Sequence, residues 1–85
     1  MMKRVGVIGI IIKKDRSVVK DVQAILTEYG DLILGRMGIP DRANDIYAIT
    51  LVVEGENEAL SALTGKLGRI DNIAVKSAVT SVTIE

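Results

Sequence analysis

The 85-residue sequence has no cysteine, no histidine, no tryptophan and no phenylalanine. Without cysteine there is no disulfide to compensate for a small core. Without cysteine and histidine the usual zinc, copper and nickel ligands are missing, and so is the side chain that most often moves protons at neutral pH. Tyr29 and Tyr47 are the only aromatic residues, too few to form a platform on which bases could stack. Neither sign of charge dominates, because 11 Lys and Arg balance 11 Asp and Glu. A chain so balanced has no bulk attraction for a phosphate backbone, so direct nucleic-acid binding is not expected. No cofactor is implied.

What remains is strongly apolar: 48% of the residues are hydrophobic. A chain of this length buries only roughly 60–65% of its unfolded surface, which leaves a monomer marginal. With disulfides and soft-metal sites excluded, association of identical copies is the remaining support, as a dimer or a tetramer. The run Val5–Ile12 is too short to span a bilayer. It is followed at once by Lys13-Lys14-Asp15 and lacks a small-residue cleavage site, which argues against a signal peptide. The expected location is the cytoplasm.

Periodicity then divides the chain. Residues 4–13 read as a strand apolar on both alternating sides, with Val5, Val7 and Ile11 on one and Ile8, Ile10 and Ile12 on the other. Gly6 and Gly9 within it suggest close approach by another element. Val18, Val22, Ile25 and Tyr29 recur at helical spacing, widened by Val19 and Leu26. Asp15 or Ser17 is placed to cap that helix, and Gly30 to end it in a left-handed conformation. A second strand is expected over 31–39, closed by Pro40. Turn residues follow, and then a third strand over 46–54. Tyr47, Ile49, Leu51 and Val53 form one side of it, and Ala48, Thr50 and Val52 the other. Leu60, Leu63, Leu67 and Ile70 mark a second helix with Asn57 as its N-cap, in which Gly65 suggests close packing on a sheet. Residues 73–84 form the last strand.

The order β-α-β-β-α-β, with right-handed crossovers, gives an α+β, ferredoxin-like sandwich: an antiparallel sheet with both helices on one face. Its other face would be bare, yet the first and third strands are apolar on both sides. A patch of that kind is abnormal on a monomer. The candidate subunit interface is therefore drawn from Val5, Val7, Ile11, Ala48, Thr50 and Val52.

No arrangement of catalytic groups appears. The segment Thr64-Gly65-Lys66-Leu67-Gly68-Arg69 has glycines and a lysine, but it lies within an amphipathic helix and lacks the spacing of a phosphate-binding loop. Asp41, Asp45 and the Glu56/Glu58 pair sit in separate loops and read as surface charge, whereas a calcium site needs six or more converging oxygens. Two places can bind a small molecule. One is the loop into the first helix, with Asp15, Arg16 and Ser17, where free N–H groups accept an anion. The other is Arg36, whose guanidinium can clamp a carboxylate or phosphate at a subunit boundary, or simply form an ion pair.

Arg36-Met37-Gly38-Ile39-Pro40 and Ser61-Ala62-Leu63-Thr64-Gly65-Lys66-Leu67-Gly68-Arg69-Ile70, with the apolar strand between them, carry a family likeness. Over roughly residues 3–80 the chain resembles small proteins described as regulators of the iron-only hydrogenase system. That family is similar to ACT domains and to the C-terminal domain of the nickel-responsive repressor. The resemblance implies that residues 1–85 form a single ACT-like regulatory domain, oligomeric and ligand-sensing, linked to transcription or to hydrogenase maturation. It implies no nickel site, since that repressor binds metal through His and Cys. ACT domains that bind amino acids usually carry a glycine where the first helix begins; here the stretch is Asp15-Arg16-Ser17-Val18. Two other readings of the same scaffold are a small enzyme of the acylphosphatase or isomerase kind and a purely structural oligomerisation module. The acylphosphatase reading lacks the Arg-bearing, Gly-rich loop it needs after the first strand, and the isomerase reading lacks its usual histidine.

Overall fold

The computed structural model describes residues 2–13 and 16–84. Its elements are β1 (Lys3–Lys13), α1 (Val19–Glu28), β2 (Ile33–Asp41), β3 (Ile46–Gly55), α2 (Asn57–Gly68) and β4 (Ile73–Ile84). Single 3₁₀ turns at Arg16–Val18 and Gly30–Leu32 flank α1. The strands form one sheet in the order β2-β3-β1-β4, and every neighbouring pair is antiparallel. This is the ferredoxin-like α+β plan read from the sequence.

The core lies between the sheet and the helices. Ile8, Ile10 and Ile12 of β1 and Ile49, Leu51 and Val53 of β3 meet Val18, Val22 and Leu26 from the α1 side and Leu60, Leu63 and Leu67 from α2. Each such side chain contributes roughly 1.5–3 kcal/mol on burial. Among the described residues no polar or charged side chain is buried with them. One exposed tie joins the helices: the Lys66 ammonium donates to the Glu28 carboxylate at 2.8 Å and sits 5.6 Å from the Tyr29 ring. The hydrogen bond to Glu28 raises the pKa of Lys66 above the ordinary lysine value. The tie therefore holds at neutral pH, and on the alkaline side it is lost as the pH climbs past that raised value.

Several element ends differ from the sequence reading, each for a local reason. Pro40 does not close β2. The strand runs on to Asp41, and Pro40 pairs with Tyr47. Its missing N–H is tolerated because β2 is an edge strand. Residues 31 and 32 belong to a 3₁₀ turn, so the strand starts at Ile33. Gly30 is not left-handed; Tyr29 ends α1 and hands its N–H to the carbonyls of Ile25 and Thr27. Val18, one residue past Ser17, occupies the N-cap position of α1, and Asp15 lies outside the described residues. Asn57 is the first residue of α2 rather than its cap, which is Glu56. A Cβ at Gly65 would meet no atom within 4 Å, so the close packing expected there is absent.

Gly6 does mark a close approach. A Cβ there would stand 3.0 Å from the Ala78 carbonyl oxygen and 3.1 Å from Val79 Cα. Just beyond, the β1–β4 register shifts between Arg4 and Gly6. The Thr80 hydroxyl fills the irregularity by donating to the Val5 carbonyl at 2.7 Å and accepting from the Val82 N–H at 3.3 Å. At Gly9 the nearest such atom is 4.0 Å away. Gly6→Val should therefore lower stability by roughly 1–3 kcal/mol in urea unfolding, whereas Gly9→Ala should change it little.

Candidate functional site

Because β1 and β2 are both antiparallel to β3, they run the same way. The exit of β1, the start of α1 and the β2–β3 turn therefore gather at one end of the sheet. A cleft of about 430 Å³ opens there. Ile12, Val19, Pro40, Ile46 and Tyr47 form its apolar walls, and Arg16, Asp41, Arg42 and Asp45 supply its polar groups.

Each wall has a local cause. Tyr47 lies over Gly38: a Cβ at position 38 would stand 2.8 Å from the tyrosine Cζ and nearer still to its hydroxyl. The absent side chain is the space that the ring occupies. In the turn, Asp41 accepts from the Asn44 side-chain amide at 2.9 Å and from its backbone N–H at 3.4 Å. Asp45 takes a left-handed backbone, φ 52°, which aspartate tolerates better than most residues. Its carboxylate then stands 3.6 Å from the Arg16 guanidinium. That pair bridges the loop after β1 and the β2–β3 turn across the mouth of the cleft.

The sequence candidates are thus divided. Arg16 lines the cleft, and Ser17 follows it in the same 3₁₀ turn. Arg36 does not join them. It stands opposite Leu51 on the helix-facing side of β2, and its guanidinium donates to the Gln23 side chain of α1 at 2.6 Å. Arg42, Asp45 and Tyr47 were not anticipated as site residues. The element order alone could have found them, since it brings the first loop and the β2–β3 turn to the same end. The candidate interface residues all lie on the sheet face away from the helices, where Val7 pairs with Val52, Ile11 with Ala48 and Val5 with Glu54.

Such a cleft has the size and the largely apolar walls of a small-molecule site, with two arginines and two aspartates among its lining residues. Among the described residues no three acidic groups converge on a metal position. Nor is any of the described helices long and apolar enough to cross a membrane.

Residues 4–77 match the model of the TM1266-like family, "Iron-only hydrogenase system regulator, putative". The chain belongs to this family. The solved structure of TM1266 from Thermotoga maritima, described as uncharacterized, shares 31% identity and superposes with a TM-score of 0.86, over 91% of this chain and 96% of that one. The ACT domain of the GTP pyrophosphokinase of Chlorobium tepidum superposes at 0.74 with 14% identity, over 89% of this chain and 99% of that one. An ACT domain protein from Streptococcus pneumoniae gives 0.62 with 17% identity, over 89% of each chain. At those identities the two ACT likenesses establish the fold, which is ACT-like. No curated protein matches the sequence.

Arg16 and Asp45 are both well exposed, and pairs of that kind add little stability. Arg16→Ala should leave the unfolding free energy within about 1 kcal/mol of the parent. Gly38→Val should push the outer end of Tyr47 aside and reshape the cleft, again at a cost of no more than about 1 kcal/mol, because the atoms it meets are the far end of a half-buried side chain. Chemical denaturation of both variants checks these values.

Proposed function

We propose that this chain is a regulatory, ligand-sensing domain of the iron-only hydrogenase system, working in the cytoplasm as a homo-oligomer and without catalytic activity. The observation that carries the sensing role is the cleft between the first loop and the β2–β3 turn. Its guanidinium groups, Arg16 and Arg42, stand at the rim of an apolar pocket. A carboxylate or phosphate meets the arginines, and the apolar part of the same molecule lies against Ile12, Val19 and Tyr47. Occupancy would tie the loop after β1 to the turn between β2 and β3, and so bias the ensemble toward one arrangement of that end. Ser17 follows Arg16 in the same turn. Asp15 lies outside the described residues, and Arg36 enters only if a neighbouring copy brings it near.

The absence of enzymatic activity is argued from composition. Histidine and cysteine are missing, and no acid or base is buried among the described residues. Control of transcription, on this reading, passes through a partner protein that supplies the nucleic-acid contact.

The uncovered sheet face supports the oligomer. Val7, Ile11, Met37, Ile39 and Val52 are each more than a third exposed on it. Sedimentation at micromolar concentration should give a dimer or a larger species; a stable monomer would remove this part of the proposal.

Thermal unfolding against a panel of amino acids, organic acids and nucleotides tests sensing. A ligand at a hundred times its Kd stabilises by about 2.7 kcal/mol, provided it binds the folded state only. For a domain of this size that corresponds to a rise in Tm of roughly 10–20 °C. Arg16→Ala with Arg42→Ala should abolish the rise. If the double variant responds like the parent, the cleft is not the site.

A further inference from the structure

The uncovered face has an internal order that specifies how two copies meet. Cross-strand partners share a face, so the registers lay it out in rows. One row reads Gly35, Val52, Val7, Ala78 across β2, β3, β1 and β4. The next reads Met37, Thr50, Gly9, Lys76, and the one after it Ile39, Ala48, Ile11, Ala74. The large side chains of the outer positions, Met37 and Ile39, are on β2, whereas the outer positions of β4 carry Ala78 and Ala74. In the central pair of strands Thr50 sits beside Gly9, and Ala48 beside Ile11. Charge is kept toward the rim: Lys76 on the β4 edge, with Glu54 and Lys3 at one end of the face.

We propose that two copies pack face to face across this surface, related by a two-fold axis running parallel to the strands between β1 and β3. This rests on the homo-oligomer reading above and goes beyond it by fixing the geometry. Such an axis exchanges β2 with β4 and β3 with β1 while leaving each row in place. Ile39 then covers Ala74 of the second copy, Ile11 covers Ala48, and Thr50 covers Gly9, so bulk meets space in these two rows, while in the third Gly35 meets Ala78. Val52 faces Val7. The aliphatic stem of Lys76 lies along Met37 with its ammonium at the edge. Glu54 lands one row from Lys3 of the second copy, with opposite sign.

The alternative axis, in the plane of the sheets but across the strands, fits less well when it passes through the central row. It then stacks Gly9 on Gly9 and leaves a void, and it brings Lys76 onto Lys76. A void forfeits contacts, and opposed ammonium groups repel. Aligned packing of two sheets is in any case the common mode, with faces about 10 Å apart.

The area is sufficient. Four strands at ~4.8 Å spacing and roughly eight residues at ~3.4 Å rise give a face of about 500 Å² in projection. The corrugated surface exceeds this, so two copies bury more than the ~1,000 Å² that marks a specific interface. Its apolar centre and charged rim match the anatomy of such interfaces.

The absence of native cysteine makes single introduced cysteines unique handles. Met37→Cys and Lys76→Cys proteins, one of them tagged, are mixed, allowed to exchange subunits and treated with a short bismaleimide. The mixture should yield the cross-linked heterodimer, while each variant alone should not link to itself. Val52→Glu should keep the circular dichroism of the parent but raise the dimer Kd at least about tenfold, since it buries a carboxylate at the centre of the contact. If the parent sediments as a dimer while Met37→Cys links to itself, or while the mixture gives no link, the axis is wrong and the oligomer reading stands. If the parent sediments as a monomer, both fall.

Discussion

The structure depends on an imbalance: one four-stranded sheet has two apolar faces, and only two helices are available to cover it. The crossover rule places both helices on the same side. The isoleucines at 8, 10 and 12 are thereby sealed against α1 and α2, while their neighbours at 7 and 11 remain open. In a strand the side-chain period is two, so one central strand presents both surfaces with equal force. Everything distinctive about the protein follows from how the two surfaces are used. One forms the core, and the other is available for recognition.

The two halves of the molecule are held to different standards. The helix side has twelve buried apolar residues, and no polar group is buried with them among the described residues. The cleft end is looser. It is built from a 3₁₀ turn, a hairpin turn with one left-handed residue, and an exposed ion pair. Such regions open at lower free energy than a packed core. The family to which the chain belongs is described as regulatory, and the division between a rigid slab and an adjustable end is consistent with that role.

The fold was legible in the sequence because it rests on long, clear periodicities. The alternation in 4–13 and 46–54 and the helical spacing of Val18, Val22, Leu26 and of Leu60, Leu63, Leu67 each involve many residues whose burial must agree. Element ends were less legible, because single residues decide them and tertiary context overrides propensity. Pro40 stays within a strand since that strand borders solvent. Gly30 and Gly65 adopt no special conformation or contact, and Asn57 is helical rather than capping. The site was partly legible. Arg16 follows from its loop, but Arg42 and Asp45 reach the cleft only through the direction of β2. The contact of Arg36 with Gln23 of α1 was not legible, because the side of β2 on which a residue stands is not visible until the register is known.

The outer strand β2 carries one more consequence. It bears Pro40, which offers no donor, and a register break between Ile33 and Gly35. Extended segments that arrive from elsewhere find no continuous ladder to join along that border. A chain so rich in valine and isoleucine is at risk of endless lateral stacking into fibres, and this flank interrupts such growth at its first step.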